Sequence, residues 1–234
     1  AILMVHYFGI PQDIEKFISY AIKNKLCLIE DNAHGYGGKL QNRFLGSFGD
    51  FSISSPRKLI QLYSGGILKI NNKYFNIEKP NIAKYPITLI NSLKFKNKNK
   101  FKYFKFFIKK VLKKRPPYED NFLSELPIKN YKIDDISKKL LENFSFDYET
   151  RINNFNFWHS FAIKNNLTPL FSKINDTNLN PWCYPAYVSN SNDARKWFDW
   201  GWKNNLFIFS WPNLPIEAKA NKELLENRSK LICF

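Results

Sequence analysis

The stretch that decides the fold of this chain is Leu26-Cys27-Leu28-Ile29-Glu30-Asp31-Asn32-Ala33-His34-Gly35. Its first five residues form a largely apolar run that predicts a buried strand, and Asp31 closes that run. Lys58 follows further along the chain, just before a glycine-rich turn at Tyr63-Ser64-Gly65-Gly66. Ligands of α/β proteins bind at the carboxyl ends of parallel strands, so we expect Asp31 and Lys58 to face the same cavity.

Strands and helices alternate in the first part of the chain, which predicts an α/β fold with a mainly parallel sheet covered by helices. The elements predicted there are strands at 1–8, 26–31, 50–54 and 66–70 and a helix at 11–24. Further along, the pattern predicts helices at 98–114, 134–164, 192–204 and 217–228 and strands at 183–188 and 206–210. The predicted organisation is a domain at 1–92, a basic connecting segment at 93–130 and a smaller α+β domain at 131–234.

A carboxylate at the end of a buried strand, followed by a lysine in a loop, is an arrangement that pyridoxal 5′-phosphate (PLP) can use. The lysine joins the cofactor aldehyde covalently, and the aspartate pairs with the pyridine nitrogen and keeps it protonated. Purely structural interpretations of both residues stay open at this point. Asp31 can be a helix cap at the end of a strand, and Lys58 can be a solvated lysine.

The sequence around these residues resembles the DegT/DnrJ family of PLP-dependent sugar aminotransferases. The resemblance is dense in residues 1–70, weak in 71–130 and moderate afterwards. The motifs that carry it are AILMVHYFG at 1–9, IPQDI at 10–14, IEDNAHGYG at 29–37, LGSFGD at 45–50, SSPRK at 54–58, YPAYV at 184–188 and FSWP at 209–212.

This resemblance implies part of the type I PLP-dependent aminotransferase fold and a set of site residues. Lys58 would carry the cofactor and act as the general base and acid. Asp31 would bind the pyridine nitrogen, and His34 would lie beside the ring. Ser54 and Ser55 would bind the cofactor phosphate, or they close a turn. No metal is implied.

The resemblance also implies substrates and an assembly. The amino group would pass from an amino acid, with glutamate as the expected donor, to a nucleotide-linked keto-sugar for surface polysaccharide or glycan synthesis. The enzyme would be a homodimer, in which Gln61 is the candidate for reaching the neighbouring subunit's cofactor. By this resemblance we expect a fragment that lacks the N-terminal part of the large domain and the extreme C-terminus, and that alone is a poor catalyst.

Two further histidines fall outside these expectations. His6 ends the first predicted strand, where either a place at the mouth of the site or a structural role fits. His159 lies among aromatic residues of a predicted helix, which favours a structural role. Most of the six tryptophans are expected in the core of the C-terminal domain.

The net charge of +16 is concentrated rather than spread along the chain. Residues 94–115 contain eleven Lys or Arg and no acidic residue, and apolar residues recur there at near-helical spacing. A basic amphipathic helix can make weak contact with an anionic membrane surface, or it can pack its apolar stripe on its own domain. This distribution does not favour specific nucleic-acid binding.

The remaining features set limits on the protein class. Cys27, Cys183 and Cys233 lack the spacing of a metal site and fit a reducing cytoplasm. No run of eighteen apolar residues occurs, so the sequence predicts no transmembrane helix. The alternative to an enzyme is a catalytically inactive aminotransferase-like fragment or a peripheral membrane-associated protein.

Overall fold

The computed structural model describes residues 1–62, 64–75, 83–84, 108, 111–112, 131–211, 214, 216–218 and 220–234. The predicted helix at 98–114 and the basic segment 94–115 therefore lie outside the described residues, apart from Ile108, Val111 and Leu112. The described residues fall into two compact units. The first contains those of 1–86, 130–157 and 173–184, and the second contains those of 87–129, 158–172 and 185–234.

The first unit is built on a four-stranded sheet of β1 (Ile2–Val5), β2 (Leu28–Asp31), β5 (Phe51–Ser54) and β6 (Ile67–Ile70), in that order. The first three strands are parallel, which confirms the predicted α/β class with a mainly parallel sheet. Two short pairs accompany the sheet. They are β3 (Lys39–Leu40) with β4 (Arg43–Phe44), and β7 (Ala83–Lys84) with β8 (Tyr131–Lys132).

Helix α1 (Ile14–Lys23) covers one face of this sheet. It begins where the Asp13 side chain accepts a hydrogen bond from the Lys16 backbone N–H, as an N-cap does. Its apolar residues recur every three or four positions and pack against the inward-facing residues of β1 and β2. The buried members of this core are Met4, Ile14, Ala21, Leu28 and Leu45.

Strand β6 runs antiparallel to β5, although the other strands of its sheet are parallel. A parallel return needs a crossover of a dozen or more residues, usually containing a helix. Among the described residues between β5 and β6, the only helical turn is the 3-10 turn Pro56–Lys58. The short connection therefore favours the antiparallel direction.

The single helix predicted at 134–164 is wrong, because the structure has two helices there. Helix α2 (Asp135–Glu142) ends at Asn143, and α3 (Tyr148–Lys164) follows. The Asp147 carboxylate accepts from the Thr150 backbone N–H at 3.0 Å and so starts the second helix. Helix α3 belongs to the first unit up to Phe157 and to the second unit from Trp158.

The turn between α2 and α3 is fixed against a glycine loop. Phe146 lies so close to Gly37 that a Cβ atom there would be 2.1 Å from the Phe146 Cζ atom. The Tyr148 hydroxyl also donates to the Gly37 carbonyl at 2.7 Å. Gly37 has a φ of +80°, so this position requires glycine for both its conformation and its space.

The second unit contains a four-stranded antiparallel sheet in the order β11 (Phe209–Ser210), β12 (Leu231–Cys233), β10 (Pro185–Tyr187), β9 (Thr168–Pro169). Helices α4 (Ser191–Lys203) and α5 (Lys222–Lys230) and a 3-10 turn (Ile216–Ala218) complete it. The strands predicted at 183–188 and 206–210 and the helix at 192–204 are present. Strand β12 was not predicted, although its three residues are buried at the centre of the sheet.

Partly exposed aromatic side chains form a contact cluster in this second unit. Trp158, Phe161, Trp197, Trp200 and Phe234 make successive ring contacts with centroids between 4.6 and 6.2 Å apart. Trp182 lies outside this cluster, because it belongs to the first unit. In the described part of the chain, no helix is both long and apolar enough to cross a membrane.

Candidate active site

The end of strand β2 separates two neighbouring carboxylates onto opposite faces of the sheet. Leu28 and Glu30 are buried, whereas Ile29 and Asp31 are partly exposed, as the two-residue period of a strand requires. The Asp31 Oδ1 atom accepts a hydrogen bond from the Ala33 backbone N–H at 2.9 Å, which turns the chain as it leaves the strand. Asp31 is therefore a strand-end residue facing away from the α1 core.

Glu30 is the centre of a structural group that we call the Glu30 cluster: His6, Glu30, Gly46, Phe48 and Gly49. Its carboxylate accepts from the backbone N–H groups of the three loop residues at 2.5, 2.7 and 3.1 Å. It also accepts from the His6 Nε2 atom at 2.9 Å, and both side chains are fully buried. Burial raises the pKa of Glu30, but these hydrogen bonds outweigh it and lower the pKa below its ordinary value.

His6 is thereby assigned to structure rather than to the mouth of the site. Its Nδ1 atom accepts from the Gln12 backbone N–H at 3.1 Å, so the ring proton lies on Nε2 and points to Glu30. Both ring nitrogens are used inside the fold. Of the two interpretations left open by the sequence, the satisfied strand-end histidine is the one that the structure supports.

His34 lies in the loop that follows Asp31 and is buried, with 8% of its surface exposed. Its Nδ1 atom accepts from the Phe8 backbone N–H at 3.1 Å, and its ring centroid lies 4.5 Å from that of Trp182. Burial, followed by the positive charge of Lys58, lowers the pKa of His34 to about 4. The imidazole is therefore neutral near pH 7.

Lys58 ends the 3-10 turn Pro56–Lys58, which follows directly from β5. Its Nζ atom lies 4.9 Å from the centroid of the Trp182 ring, within the range of a cation–π contact. Burial lowers the pKa of Lys58 below its ordinary value, and the negative charge of Asp31 opposes that effect. The sequence interpretation of Lys58 as an ordinary solvated lysine does not fit this environment.

These contacts define the Lys58 cluster: Asp31, His34, Lys58 and Trp182, all in the first unit. The structure brings together the three residues that the sequence singled out for the ring and the covalent link. Ser54 ends β5, and Ser55 precedes the 3-10 turn, where its hydroxyl makes no capping bond. Their phosphate role, like the intersubunit role of Gln61, stays a prediction.

Trp182 is the residue of this cluster that sequence reasoning missed. It comes just before a predicted strand, in the run Asn180-Pro181-Trp182-Cys183, and no local pattern pairs it with a loop far earlier in the chain. The available signal was its place at the edge of a motif matched to the family, beginning at Tyr184. His159, by contrast, lies in the part of α3 that belongs to the second unit, in line with a structural role.

The residues present fit a cofactor that carries an aldehyde and an aromatic nitrogen ring. An amine with a lowered pKa is a better nucleophile toward a carbonyl at neutral pH. A carboxylate coupled to that amine can hold a proton on a ring nitrogen, and two aromatic side chains offer flat surfaces. This donor set is suited to PLP, and it contains no group that would need a metal.

Comparison with known proteins now gives these residues a context. Residues 1–80 match the model of the DegT/DnrJ/EryC1/StrS aminotransferase family. The predicted resemblance to this family is confirmed. Asp31, His34, Ser54, Ser55 and Lys58 all lie within the matched residues.

Two curated relatives match a stretch of this chain. GDP-perosamine synthase of Escherichia coli O157:H7 is 37% identical over 75 residues, which are 31% of this chain and 21% of that protein. The UDP-N-acetyl-3-dehydro-alpha-D-glucosamine 3-aminotransferase of Acidithiobacillus ferrooxidans is 35% identical over 71 residues, 29% of this chain and 19% of that protein. The matched stretches thus span about a fifth of the length of each relative.

Solved structures match over the whole chain. A DegT DnrJ EryC1 StrS aminotransferase from Brucella abortus has a TM-score of 0.58 at 14% identity, covering 100% of this chain and 58% of that one. Helicobacter pylori PseC, titled an aminotransferase of pseudoaminic acid biosynthesis, has a TM-score of 0.57 at 15% identity, covering 100% and 60%. At these identities the likeness establishes the fold, and it confirms the predicted type I aminotransferase fold.

Proposed function

We propose that the complete protein is a PLP-dependent aminotransferase that transfers an amino group to a nucleotide-linked keto-sugar. The observation that carries this proposal is the Lys58 amine, whose pKa is lowered by burial beside the Asp31 carboxylate. The chain spans about 60% of the solved structures it matches and about a fifth of the curated relatives. The activity is therefore proposed for the whole enzyme, of which these residues supply the lysine and the ring contacts.

The substrate class in this proposal is supported by the names of the two relatives. One is a synthase of a GDP-linked amino sugar and the other acts on a UDP-linked dehydro-glucosamine. A nucleotide-linked sugar is common to both names, and the second name specifies a dehydro-sugar as the group that is aminated. We further propose glutamate as the amino donor and a role in surface polysaccharide or glycan synthesis.

In the proposed mechanism each residue of the Lys58 cluster has one task. PLP, when bound, supplies an aldehyde for the amino group and a ring that takes up electrons when the substrate C–H bond breaks. Asp31 keeps a proton on the ring nitrogen, because its carboxylate stabilises positive charge there. Lys58 would hold the cofactor, and its amine would remove and return a proton at the substrate carbon.

The electrostatics of the cluster support these tasks. A free amine, rather than an ammonium ion, is needed to accept a proton, and burial of Lys58 favours the free amine. His34 is neutral near pH 7 because its pKa is about 4, so it adds no second positive charge beside Lys58. His34 and Trp182 together provide aromatic surfaces next to the amine.

The proposal includes a homodimer, with each cofactor site near the two-fold interface. Apolar Leu59, Ile60 and Leu62 follow Lys58, and the last two are buried. Ile60 and Leu62 are covered within this chain, so the partly exposed Leu59 is the one of the three available to a partner, and the homodimer is proposed chiefly from the resemblance to the family. Light scattering on the full-length protein, with and without PLP, checks this part, and an active monomer that retains cofactor would contradict it.

The central test is cofactor binding by the full-length protein. We expect PLP to give a visible absorbance band that borohydride reduction fixes to the peptide containing Lys58, as mass spectrometry would map. Lys58→Ala should lose the band, whereas Lys69→Ala on β6 is the matched control and should keep it. An inactive aminotransferase-like chain, the competing hypothesis, would give no band and no amino transfer from glutamate to a nucleotide-linked keto-sugar.

A further inference from the structure

Arg151 is a partly buried cation that connects two segments of the Lys58 cluster. It lies in the first turn of α3, and its guanidinium donates to two backbone carbonyls. The Nη1 atom lies 3.3 Å from the Pro181 oxygen, and the Nη2 atom lies 3.3 Å from the Leu59 oxygen. Pro181 immediately precedes Trp182, and Leu59 immediately follows Lys58.

The two carbonyls belong to segments that the chain brings together from distant positions. The Lys58 segment is a 3-10 turn, and the Trp182 segment is a loop whose Trp182 N–H donates to the Phe8 carbonyl at 2.8 Å. Neither segment is paired with the other in a sheet. A planar guanidinium fixes both the distance and the angle between two acceptors, which a lysine ammonium on a flexible stem cannot do.

We propose that Arg151 is a positioning residue that holds the Lys58 turn against the Trp182 loop and so keeps the Lys58 amine out of water. The inference rests on the proposed function, because it assigns a device for maintaining the lysine that this function needs. Arg151 itself is set among carbonyl dipoles, and burial lowers its pKa while the charge of Asp147 opposes this. Removing the Arg151 guanidinium from water costs free energy. A role in fixing the two segments accounts for a charged side chain at this position.

The contacts around Lys58 show why its position depends on this connection. The Nζ atom lies 4.9 Å from the Trp182 ring, and the same ring lies 4.5 Å from that of His34. If the Leu59 and Pro181 carbonyls lose their shared donor, the turn and the loop can separate and admit water. Lys58 would then be solvated, and its proton would be lost only at higher pH.

The test measures the ionisation of Lys58 without any cofactor. Protein is pulse-labelled with an amine-acylating reagent across a range of pH, and mass spectrometry gives the labelling profile of the Lys58 and Lys69 peptides. In the unaltered protein we expect the midpoint for Lys58 to lie below that for exposed Lys69. In Arg151→Met we expect the Lys58 midpoint to move to higher pH, toward that of a solvated lysine.

Three controls separate positioning from general loss of structure. Arg43→Met removes a guanidinium that bonds the Ser47 carbonyl and hydroxyl elsewhere in the first unit, and it should leave the Lys58 midpoint unchanged. Arg151→Lys keeps the charge, but an ammonium group cannot bridge the two carbonyls with fixed geometry. The Lys58 midpoint in this variant should therefore lie between those of the unaltered protein and Arg151→Met. Millimolar guanidinium ion should restore the midpoint in Arg151→Ala, which a misfolded chain would not permit.

The outcomes distinguish this inference from the proposed function. If Lys58 and Lys69 have the same midpoint in the unaltered protein, the buried lysine on which the function rests is wrong. If the Lys58 midpoint is low but Arg151→Met and Arg151→Lys leave it in place, the function stands and the positioning role is overturned. Should Arg151→Met fail to fold, the Arg151→Lys profile decides alone.

Discussion

The Glu30 cluster and the Lys58 cluster start from adjacent residues of one strand and have opposite electrostatics. Glu30 is fully buried, and its carboxylate accepts four hydrogen bonds. Lys58 is half-buried, and the groups beside it include an aromatic ring, a neutral imidazole, a carboxylate and the positive charge of Arg57. The cost of burying the charge is offset by hydrogen bonds in the Glu30 cluster, and it is only partly offset in the Lys58 cluster.

This difference assigns a stabilising role to the Glu30 cluster and is consistent with the chemical role proposed for the Lys58 cluster. The hydrogen bonds around Glu30 keep it ionised and tie the 46–49 loop to the sheet. Burial lowers the pKa of Lys58, which costs stability, and in the proposed function it makes the amine more reactive. The alternation of side chains along β2 sends the two neighbouring carboxylates, Glu30 and Asp31, to these two environments.

The largest expected effect is a loss of stability on changing the Glu30 cluster. Glu30→Gln places an amide N–H among the donors of His6, Gly46, Phe48 and Gly49, which then lack a charged acceptor. We expect the free energy of unfolding to fall by about 3–5 kcal/mol. Urea denaturation at pH 7 followed by circular dichroism measures this loss.

The matched variant is Asp31→Asn in the neighbouring cluster. Its amide oxygen can still accept from the Ala33 N–H, so we expect a loss below about 1 kcal/mol. A loss from Asp31→Asn as large as that from Glu30→Gln would remove the distinction between the two clusters.

The second prediction concerns acid stability and isolates His34. The pKa of His34 is about 4 in the folded chain, against an ordinary value of 6.5. Between these values the unfolded chain takes up a proton that the folded chain does not, so stability falls as pH falls from about 6.5 to 4. The full loss amounts to about 3 kcal/mol, and below pH 4 this group adds no more.

Urea denaturation of the unaltered protein and of His34→Gln, at several pH values from 7.5 to 4.5, gives the measurement. Gln removes the titrating group, and the two proteins' stability curves should therefore diverge only below about pH 6.5. Parallel curves would mean that His34 is protonated as readily in the folded chain as in the unfolded one.

The third prediction tests how tightly the loops of the Lys58 cluster are packed. Gly9 has a φ of +85°, and a Cβ atom there would lie 2.9 Å from the carbonyl oxygens of both His34 and Asn180. Gly9→Ala therefore combines backbone strain with displacement of the loops that hold His34 and Trp182. We expect a loss of about 2 kcal/mol in unfolding free energy.

Gly66→Ala is the control for this substitution, because its Cβ atom would meet only the Ser54 oxygen, at 3.6 Å. We expect it to be neutral within about 0.5 kcal/mol. Equal stability of Gly9→Ala and the unaltered chain would show that the loops adapt and that the site is not held by this contact.

The sequence singled out Asp31, His34 and Lys58, which the structure brings together, but it did not identify the residues that surround them. Asp31 closes a predicted strand, and all three lie in motifs that resemble the family, so local order along the chain was enough to single them out. Trp182 and Arg151 act through contacts with residues far away in the chain, for which a single sequence contains no pattern. The sequence pattern places Glu30 in an apolar run. Periodicity cannot reveal that the 46–49 loop supplies hydrogen-bond donors to its carboxylate.

The same limit explains the errors in the fold. Apolar residues recur on both sides of Phe144-Ser145-Phe146, so the pattern of 134–164 predicts one helix. The break depends on Phe146 packing against Gly37, a tertiary contact. The buried strand Leu231–Cys233 is too short to show a period.

The smallest expected effect tests the charge contact inside the Lys58 cluster. Lys58→Met removes the positive charge while keeping an unbranched apolar side chain of similar length. Because burial is the larger cause of the low pKa of His34 and Lys58 the smaller, the pKa should rise only part of the way from about 4 toward 6.5. Lys58→Arg keeps the charge and should leave the pKa of His34 low.

Nuclear magnetic resonance titration of the histidine Cε1–H signals gives this measurement, with His34→Gln identifying the signal among the three histidines. No change in Lys58→Met would mean that the two groups do not interact, so that the cluster is not one electrostatic unit. A complete return to 6.5 would mean that charge rather than burial controls His34. A partial rise of the His34 pKa in Lys58→Met, with no rise in Lys58→Arg, would confirm that both causes act. The imidazole would then remain hard to protonate without the neighbouring cation, because burial alone disfavours its charged form.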